Sequence, residues 1–237
     1  MDLPAETLDG VLLVDKPSGP TSYDIIRWLK RIIKDVRIGH SGTLDPLASG
    51  LLIILLGKAT KKQSDFMNME KIYRCQLKLG VRTNTGDVTG TPVERLPVKQ
   101  MEQAQLREVL ESFVGAQSQM PPMFSALKKE GVPLYKLARK GQTVERSPRQ
   151  IMIHSIEFLG SGEGTIDFRV RCSSGTYVRT LVEDVGSRLG SAATMSALVR
   201  EGIGSFLLAE AVSGMELRSM TPPMIKARLL QLSAVLH

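Results

Sequence analysis

The chain has 237 residues, of which 42% are hydrophobic and 23% charged, values typical of a soluble globular protein that buries its own core. Its two cysteines lie far apart, its start resembles no export signal and no apolar run is long enough to span a membrane. We therefore expect a cytoplasmic protein with no disulfide framework and no membrane contact. The formal net charge of +7 favours a polyanionic partner such as nucleic acid.

The first ordered segments surround one loop that is rich in turn-forming residues. Residues 10–14 read as a strand, and a helix follows in which Thr21 and Asp24 have the spacing of a capping box. Residues 39–50 then contain three glycines and an Asp-Pro pair, which predicts a turn-rich loop. The next six residues, 51–56, are all apolar and predict a strand buried on both faces.

Later segments alternate between strand and helix patterns. The patterns predict a polar helix over 58–69, a strand over 73–79, a helix over 106–113, strands over 151–159 and 166–172, and a helix over 178–189. The remainder shows only short segments around Leu198 and a helical tail from Pro223. This mixture indicates an α+β fold rather than a regular βαβ array.

Residues 121–150 are predicted to form an inserted, protruding basic arm. Between 128 and 149 the sequence places seven basic residues against two acidic ones, with Tyr135 interleaved. Basic residues combined with aromatic side chains suit contacts to phosphate and to bases or sugars. A surface loop without a ligand is the alternative interpretation. The candidate RNA-binding residues of the arm are Lys128, Lys136, Arg139 and Lys140.

Familiar catalytic and metal motifs do not fit the sequence. The segment from Gly50 to Lys58 is not a phosphate loop, because an apolar run separates its glycines and Ala59 stands where Ser or Thr is needed. The three histidines lack ligand spacing, so we expect no metal site. His154 shares an apolar strand face with Met152, which predicts a core or edge histidine rather than a catalyst.

Asp45 is the best candidate for a catalytic carboxylate. It lies in the glycine-bounded loop directly ahead of the buried strand, whereas the other acidic residues mostly occupy helix faces or turns. A carboxylate can act as nucleophile or base, and an arginine beside it would keep it ionised. An aspartate that only caps its own turn is the structural alternative.

Five segments of the sequence, in register, resemble the TruB family, the bacterial tRNA pseudouridine-55 synthases. The segments are 10–19 (GVLLVDKPSG), 39–50 (GHSGTLDPLASG), 71–74 (KIYR), 121–128 (PPMFSALK) and 175–180 (GTYVRT). The resemblance covers roughly residues 10–205. It implies a pseudouridine synthase fold, with a central mixed, largely antiparallel sheet flanked by helices and a thumb-like arm. It also implies an isomerase that converts uridine 55 in the T loop of tRNA to pseudouridine without a cofactor.

The resemblance assigns roles to individual residues. It implies that Asp45 is the nucleophile, that Arg179 pairs with it and that Tyr73 stacks on the target uracil and assists loss of the C5 proton. His40 would fill the space left by the flipped nucleotide. The other expected substrate contacts are Lys16, Tyr177 and Leu198.

The resemblance leaves open two other functions. A non-catalytic tRNA-binding or tRNA-folding factor would use the same basic arm, and a related synthase could act on another RNA.

We expect residues 1–237 to form a single catalytic domain without a C-terminal PUA domain. We also expect a monomer whose partner is the T-arm stem-loop of tRNA, with no metal and no membrane involved.

Overall fold

The computed structural model describes residues 8–235, which fall into two compact units. The first unit contains residues 8–71 and 199–235, and the second contains residues 72–198. Each unit combines β-strands with helices, and the strand pairs are mixed or antiparallel, which confirms the predicted α+β class. That the chain acts as one catalytic domain stays a prediction.

The bounds of the elements within the described residues are as follows. The strands are β1 (Gly10–Lys16), β2 (Ile38–His40), β3 (Ser49–Leu56), β4 (Lys71–Leu79), β5 (Val81–Thr83), β6 (Pro92–Arg95), β7 (Gly115–Gln119), β8 (Lys128–Lys129), β9 (Val132–Pro133), β10 (Arg149–Gly162), β11 (Thr165–Cys172), β12 (Ala193–Ile203), β13 (Phe206–Leu207) and β14 (Val212–Ser213). The α-helices are α1 (Ser22–Ile32), α2 (Gln63–Asn68), α3 (Gln103–Glu111), α4 (Leu134–Ala138), α5 (Val178–Arg188), α6 (Pro222–Ala227) and α7 (Leu232–Val235). Short 3-10 helices cover Gly57–Lys62, Leu208–Glu210 and Glu216–Ser219.

The sheet of the first unit is built around β3. The strand order is β14-β1-β3-β12, and β2 and β13 pair with β3 and β12 respectively. β3 runs antiparallel to β1 and parallel to the end of β12, and the register places Gly50 opposite both Lys16 and Arg200. Since residues in register on neighbouring strands share a face, these two cationic side chains project from the same side of the sheet, across a glycine.

The burial of β3 explains why its sequence does not alternate. Leu51 to Leu56 are all fully buried, as predicted. One face of the strand packs with α1 through Ile25 and Leu29, and the other packs with Phe66 and Phe206. A strand covered on both sides needs apolar residues at every position, and this is what the run of six provides.

Helix α1 begins where its capping signal predicts. The Thr21 hydroxyl accepts a hydrogen bond from the Asp24 amide, and the Asp24 carboxylate accepts one from the Thr21 amide. This reciprocal pair satisfies two backbone donors that a helix start would otherwise leave unpaired. The apolar residues of the helix then face the sheet.

The second unit has the strand order β4-β11-β10-β7. β10 runs antiparallel to both β11 and β7. In β4, Cys75, Leu77 and Leu79 are buried whereas Arg74 and Lys78 are exposed, which confirms the strand predicted over 73–79. This sheet is the scaffold that carries β4, helix α5 and the arm.

Three details of the sequence interpretation are wrong. The continuous helix predicted over 58–69 is replaced by the 3-10 helix Gly57–Lys62 followed by α2, and the Thr60 hydroxyl donates to the Gly57 carbonyl in the first of these turns. Residues 193–203, read only as short segments, form the long strand β12. His154 is exposed. Ile151 and Ile153 are buried at the start of β10, so the face that carries Met152 and His154 is the exposed one, opposite to the prediction.

Candidate active site

The loop between β2 and β3 holds Asp45 half-buried and fixes the residues on either side of it. On one side, the Ser22 hydroxyl donates to the Leu44 carbonyl at 3.1 Å and accepts from the Leu44 amide at 2.8 Å. On the other side, the Gly19 amide donates to the Pro46 carbonyl at 2.8 Å. These bonds tie the loop to the segment that leads into α1, so Asp45 is presented from a rigid support rather than from a free loop.

Lys16 lies at the end of β1 with no exposed surface. Its ammonium donates to the carbonyl oxygens of Pro17, at 2.9 Å, and Pro20, at 2.8 Å. Burial lowers the pKa of Lys16 to about 8, the nearby Asp45 carboxylate opposes that change, and the Arg200 charge adds to it. The structure therefore brings Lys16, one of the residues expected to contact the substrate, within electrostatic range of Asp45.

Arg200 is another buried cation of the first unit, and the sequence interpretation did not identify it. Its side chain is 1% exposed, and its Nε donates to the Leu51 carbonyl at 2.7 Å. A possible signal was a basic residue inside the run Leu198 to Ile203, which otherwise reads as apolar or small residues with one acidic side chain. A charged group that is fully buried needs bonded partners, so its position indicates a specific role.

His40 ends β2, five residues before Asp45, and is half-buried. Burial lowers its pKa, and the nearby Arg200 charge lowers it further. Its Nδ1 accepts a hydrogen bond from the Gly42 amide at 3.2 Å, and its carbonyl accepts one from the Gln63 side chain at 2.7 Å. Burial and the Arg200 charge both disfavour the imidazolium form, so the ring suits packing against a base better than pairing with phosphate.

Arg179 is on the first turn of α5, in the second unit, and is 7% exposed. Its Nη1 donates to the Thr85 carbonyl and its Nη2 to the Phe124 carbonyl, both at 2.7 Å. One turn further along the helix, burial raises the pKa of Glu183 and the Asp184 charge adds to this, whereas the charges of Arg82 and Arg179 oppose it. The guanidinium thus has a fixed orientation and connects α5 to the base of the arm.

The other expected substrate residues of the second unit lie on β4, on β12 and at the start of α5. Tyr73 is half-buried on β4, and Leu198 is 8% exposed on β12. Tyr177 precedes α5, and its backbone is held at both polar groups by the Gln119 side chain, with bonds of 2.8 and 3.1 Å. No local sequence pattern indicates these two hydrogen bonds, because they join residues that are 58 positions apart.

The arm is ordered by hydrogen bonds at its base and exposes its charges. Hairpin β8–β9 and the short helix α4 form it, and the amide of Tyr135 donates to the Ser125 carbonyl at 3.1 Å. Arg146 donates to the Pro121 carbonyl at 2.8 Å, which closes the base. The four candidate residues, Lys128, Lys136, Arg139 and Lys140, are all exposed. The arm therefore presents positive charge to solvent from a defined backbone.

Two kinds of feature are absent from residues 8–235. No group of three or more His, Cys, Asp or Glu side chains there is arranged to hold a metal ion. No helix in the same range is long and apolar enough to cross a membrane.

Comparison with known families and structures gives a consistent assignment. Residues 30–178 match the model of the TruB family pseudouridylate synthase, N-terminal domain. The chain is 45% identical, over 96% of its length and 94% of the relative's, to a tRNA pseudouridine synthase B of Opitutus terrae. It is 46% identical to the protein of the same name from Bordetella avium, over 96% of this chain and 93% of that one.

The structural comparison agrees in fold. A crystal structure of a Cbf5-Nop10-Gar1 complex contains a chain that superposes with a TM-score of 0.72 at 28% identity. The match covers 93% of this chain and 59% of that one, so the present chain spans little more than half of its solved neighbour.

Proposed function

Because the chain belongs to the TruB family of pseudouridylate synthases, we propose that it converts uridine 55 in the T loop of tRNA to pseudouridine with Asp45 as the nucleophile. The observation that carries the assignment is the 45–46% identity, over 96% of the chain, to curated tRNA pseudouridine synthases B. The enzyme is an isomerase, so no atom or electron enters or leaves the nucleoside overall.

The reaction exchanges one bond to the ribose for another. The bond between N1 of uracil and C1′ of the ribose breaks, the uracil rotates, and a bond forms between C5 and C1′. The proton on C5 is lost and N1 gains one, so the atoms balance. The Asp45 carboxylate attacks C6 of the uracil or C1′ of the ribose, and both routes require it to be ionised. The bond that it forms is transient: at C1′ the incoming C5 displaces the carboxylate, and at C6 the carboxylate is eliminated after the C5–C1′ bond has formed, so Asp45 is regenerated in either case. The buried Lys16 ammonium supplies a positive charge in its neighbourhood that favours this ionised form.

The remaining site residues act on the flipped nucleotide. We assign Arg179 to an ion pair with Asp45, Tyr73 to stacking on the uracil and to assisting loss of the C5 proton, and Tyr177 and Leu198 to contacts with the substrate. His40 occupies the gap that the flipped base leaves in the RNA. Extruding a base costs about a few kcal/mol, which stacking and phosphate contacts have to offset.

The basic arm provides the phosphate contacts. Its exposed lysines and arginines can pair with the backbone of the T-arm stem, and such contacts give an affinity that falls with salt. Tyr135 adds an aromatic side chain to this RNA-binding surface. The Arg139 guanidinium lies over its ring, with Cζ 5.5 Å from the ring centroid. We propose that the enzyme acts in the cytoplasm, needs no metal and is a monomer. Sedimentation with and without RNA tests whether it is a monomer.

The test of the proposed function is to identify the product and its position. Purified enzyme is incubated with a T-arm stem-loop RNA, and pseudouridine is mapped by mass spectrometry after nuclease digestion. We expect one pseudouridine at the position equivalent to 55. The same RNA with cytidine at that position should yield none. Modification at a different uridine, or in another RNA only, would support the related-synthase alternative instead.

The exposed arm also favours a second function, binding and remodelling of tRNA that does not depend on catalysis. This function makes no demand on Asp45. The two functions separate in an inactive Asp45 variant: tRNA that folds faster in its presence supports the second function, and tRNA that folds no faster than without protein excludes it.

A further inference from the structure

The conspicuous unassigned feature of the first unit is the buried guanidinium of Arg200. It is among the largest fully buried side chains in the described residues, at 1% exposed. Moving a cation out of water costs free energy that only bonded partners and nearby negative charge recover. A leucine or methionine would fill the same volume without that cost, so the bonds that Arg200 makes are the feature to explain.

Those bonds join the two ends of the loop that carries Asp45. The Nε of Arg200 donates to the Leu51 carbonyl at 2.7 Å, and its Nη2 donates to the Gly42 carbonyl at the longer distance of 3.4 Å. Gly42 comes three residues before Asp45, and Leu51 comes six residues after it. A single planar group therefore contacts the beginning of the loop, two residues after β2 ends, and the strand β3 that follows the loop.

The backbone brings Arg200 to this place through a close approach at Gly50. Gly50 lies opposite Arg200 in the parallel pairing of β3 and β12 and has a φ of +100°. A Cβ at Gly50 would lie 2.4 Å from the Arg200 carbonyl oxygen and 2.7 Å from its amide nitrogen. Glycine is therefore required at position 50, and the close contact that it permits puts the guanidinium at the base of the loop.

The charge of Arg200 also acts on its surroundings. It lowers the pKa values of both Lys16 and His40, which shows that the three groups share one environment. Arginine stays protonated under all conditions of interest and offers a fixed fork of donors. Lysine in its place would keep the charge but would offer one nitrogen atom, which cannot follow the same fork geometry.

We infer that Arg200 is a positioning residue for the reaction: its guanidinium clamps the carbonyl groups of Gly42 and Leu51 and thereby fixes the loop that presents Asp45. The inference rests on the proposed role of Asp45. It predicts that the loop loses order, and the chemical step slows, when the fork is removed while the charge is kept.

The experiment compares Arg200→Lys with Arg200→Met and with a matched control, Ile225→Ala. Ile225 is fully buried in α6 of the same unit, so its truncation lowers stability without touching the loop. Each variant is assayed for single-turnover pseudouridine formation at saturating enzyme, for affinity to the T-arm stem-loop, and for hydrogen exchange of the amides of residues 41–51. Thermal unfolding is recorded for all of them.

We expect Arg200→Lys to slow the single-turnover step by about 10- to 100-fold, the range that small misplacements of a catalytic group produce. Its RNA affinity should change by less than about threefold, since the loop positions chemistry rather than the stem. The amides of residues 41–51 should exchange faster. Ile225→Ala should keep the wild-type rate and loop protection at a similar loss of melting temperature.

Two results would overturn the inference. One is a normal rate and normal loop protection in Arg200→Lys. The other is equal slowing in Ile225→Ala, which would mean that Arg200 contributes only stability. If Arg200→Met does not fold, Arg200→Lys decides. Asp45→Asn is assayed in parallel to separate this inference from the proposed function. If Asp45→Asn is active, both the role of Asp45 as nucleophile and the positioning role of Arg200 are refuted. If Asp45→Asn is inactive and Arg200→Lys is fully active, only the positioning role is refuted.

Discussion

Replacing Lys16 with methionine should change how the stability of the protein depends on pH. Lys16 is fully buried, and its pKa in the folded protein is about 8 against an ordinary value of 10.5. Burial is the main cause, and the Arg200 charge adds to it, whereas the carboxylates of Asp45, Asp24 and Asp15 oppose it. Methionine has a similar length and cannot titrate, so the variant removes this one equilibrium.

The sign and size of the effect follow from the two pKa values. Between about pH 8 and about pH 10.5 the unfolded chain holds a proton on Lys16 that the folded protein has released, so the free energy of unfolding rises with pH in this range. A gap of about 2.5 pH units corresponds to about 3 kcal/mol in total. From about pH 7 to about pH 10 the wild type should therefore gain about 2 to 3 kcal/mol relative to Lys16→Met.

Urea unfolding at a series of pH values measures this difference directly. Lys61→Met, at an exposed lysine, is the control for the exchange of a lysine for methionine. A wild-type advantage that stays flat, or that shrinks as the pH rises, would refute the reasoning. It would mean that the Lys16 ammonium is not destabilised by its burial.

Two further predictions concern the arm and the glycine of β3. Replacing Lys136, Arg139 and Lys140 with alanine should weaken binding of the T-arm stem-loop and flatten the slope of log K against log salt by about 2. Exchanging lysine and arginine at the same positions should leave the slope unchanged, and an unaltered slope in the alanine variant excludes phosphate contacts by the arm. Gly50→Ala should lower the free energy of unfolding by more than about 2 kcal/mol, because its Cβ would meet the backbone of β12. Gly164→Ala, at a positive φ with open space, should cost about 1 kcal/mol, and an equal cost at both sites would contradict the close approach.

The parts of the fold that could be predicted are those in which a local pattern has one physical interpretation. Six apolar residues at 51–56 have to be covered on both faces, and the structure covers them with two separate clusters. Thr21 and Asp24 define a helix start because the reciprocal bonds need only those two residues. Neither case depends on residues far away in the sequence.

The parts that could not be predicted depend on long-range contacts. β12 contains a buried arginine, Arg200, whose hydrogen-bond partners lie about 150 positions away in the sequence. The residues beside Arg200 in the strand therefore do not indicate that it is buried. At His154 the apolar side chains of β10 suggested the wrong face, because Met152 is exposed while Ile151 and Ile153 are buried. Local pattern alone does not fix the register of such a strand.

The candidate site divides in the same way. The glycine-bounded loop singled out Asp45 from residue types alone, and the basic arm was apparent from its charge. The roles of Tyr73, Arg179, Tyr177 and Leu198 came from the family resemblance, because nothing in their local sequence separates them from ordinary strand and helix residues. Arg200 required the structure, since its function as a clamp is visible only once the carbonyl groups that it contacts have been brought together.

The most direct test of the central claim is the activity of Asp45→Asn. Pseudouridine formation in a T-arm stem-loop is measured under single-turnover conditions, together with RNA affinity and the unfolding profile. Asp65→Asn, at an exposed aspartate of α2, is the matched control and should be fully active. We predict that Asp45→Asn binds the RNA with an affinity within about threefold of the wild type but forms no pseudouridine, because an amide cannot serve as the nucleophile. Turnover by Asp45→Asn near the wild-type rate would contradict the account.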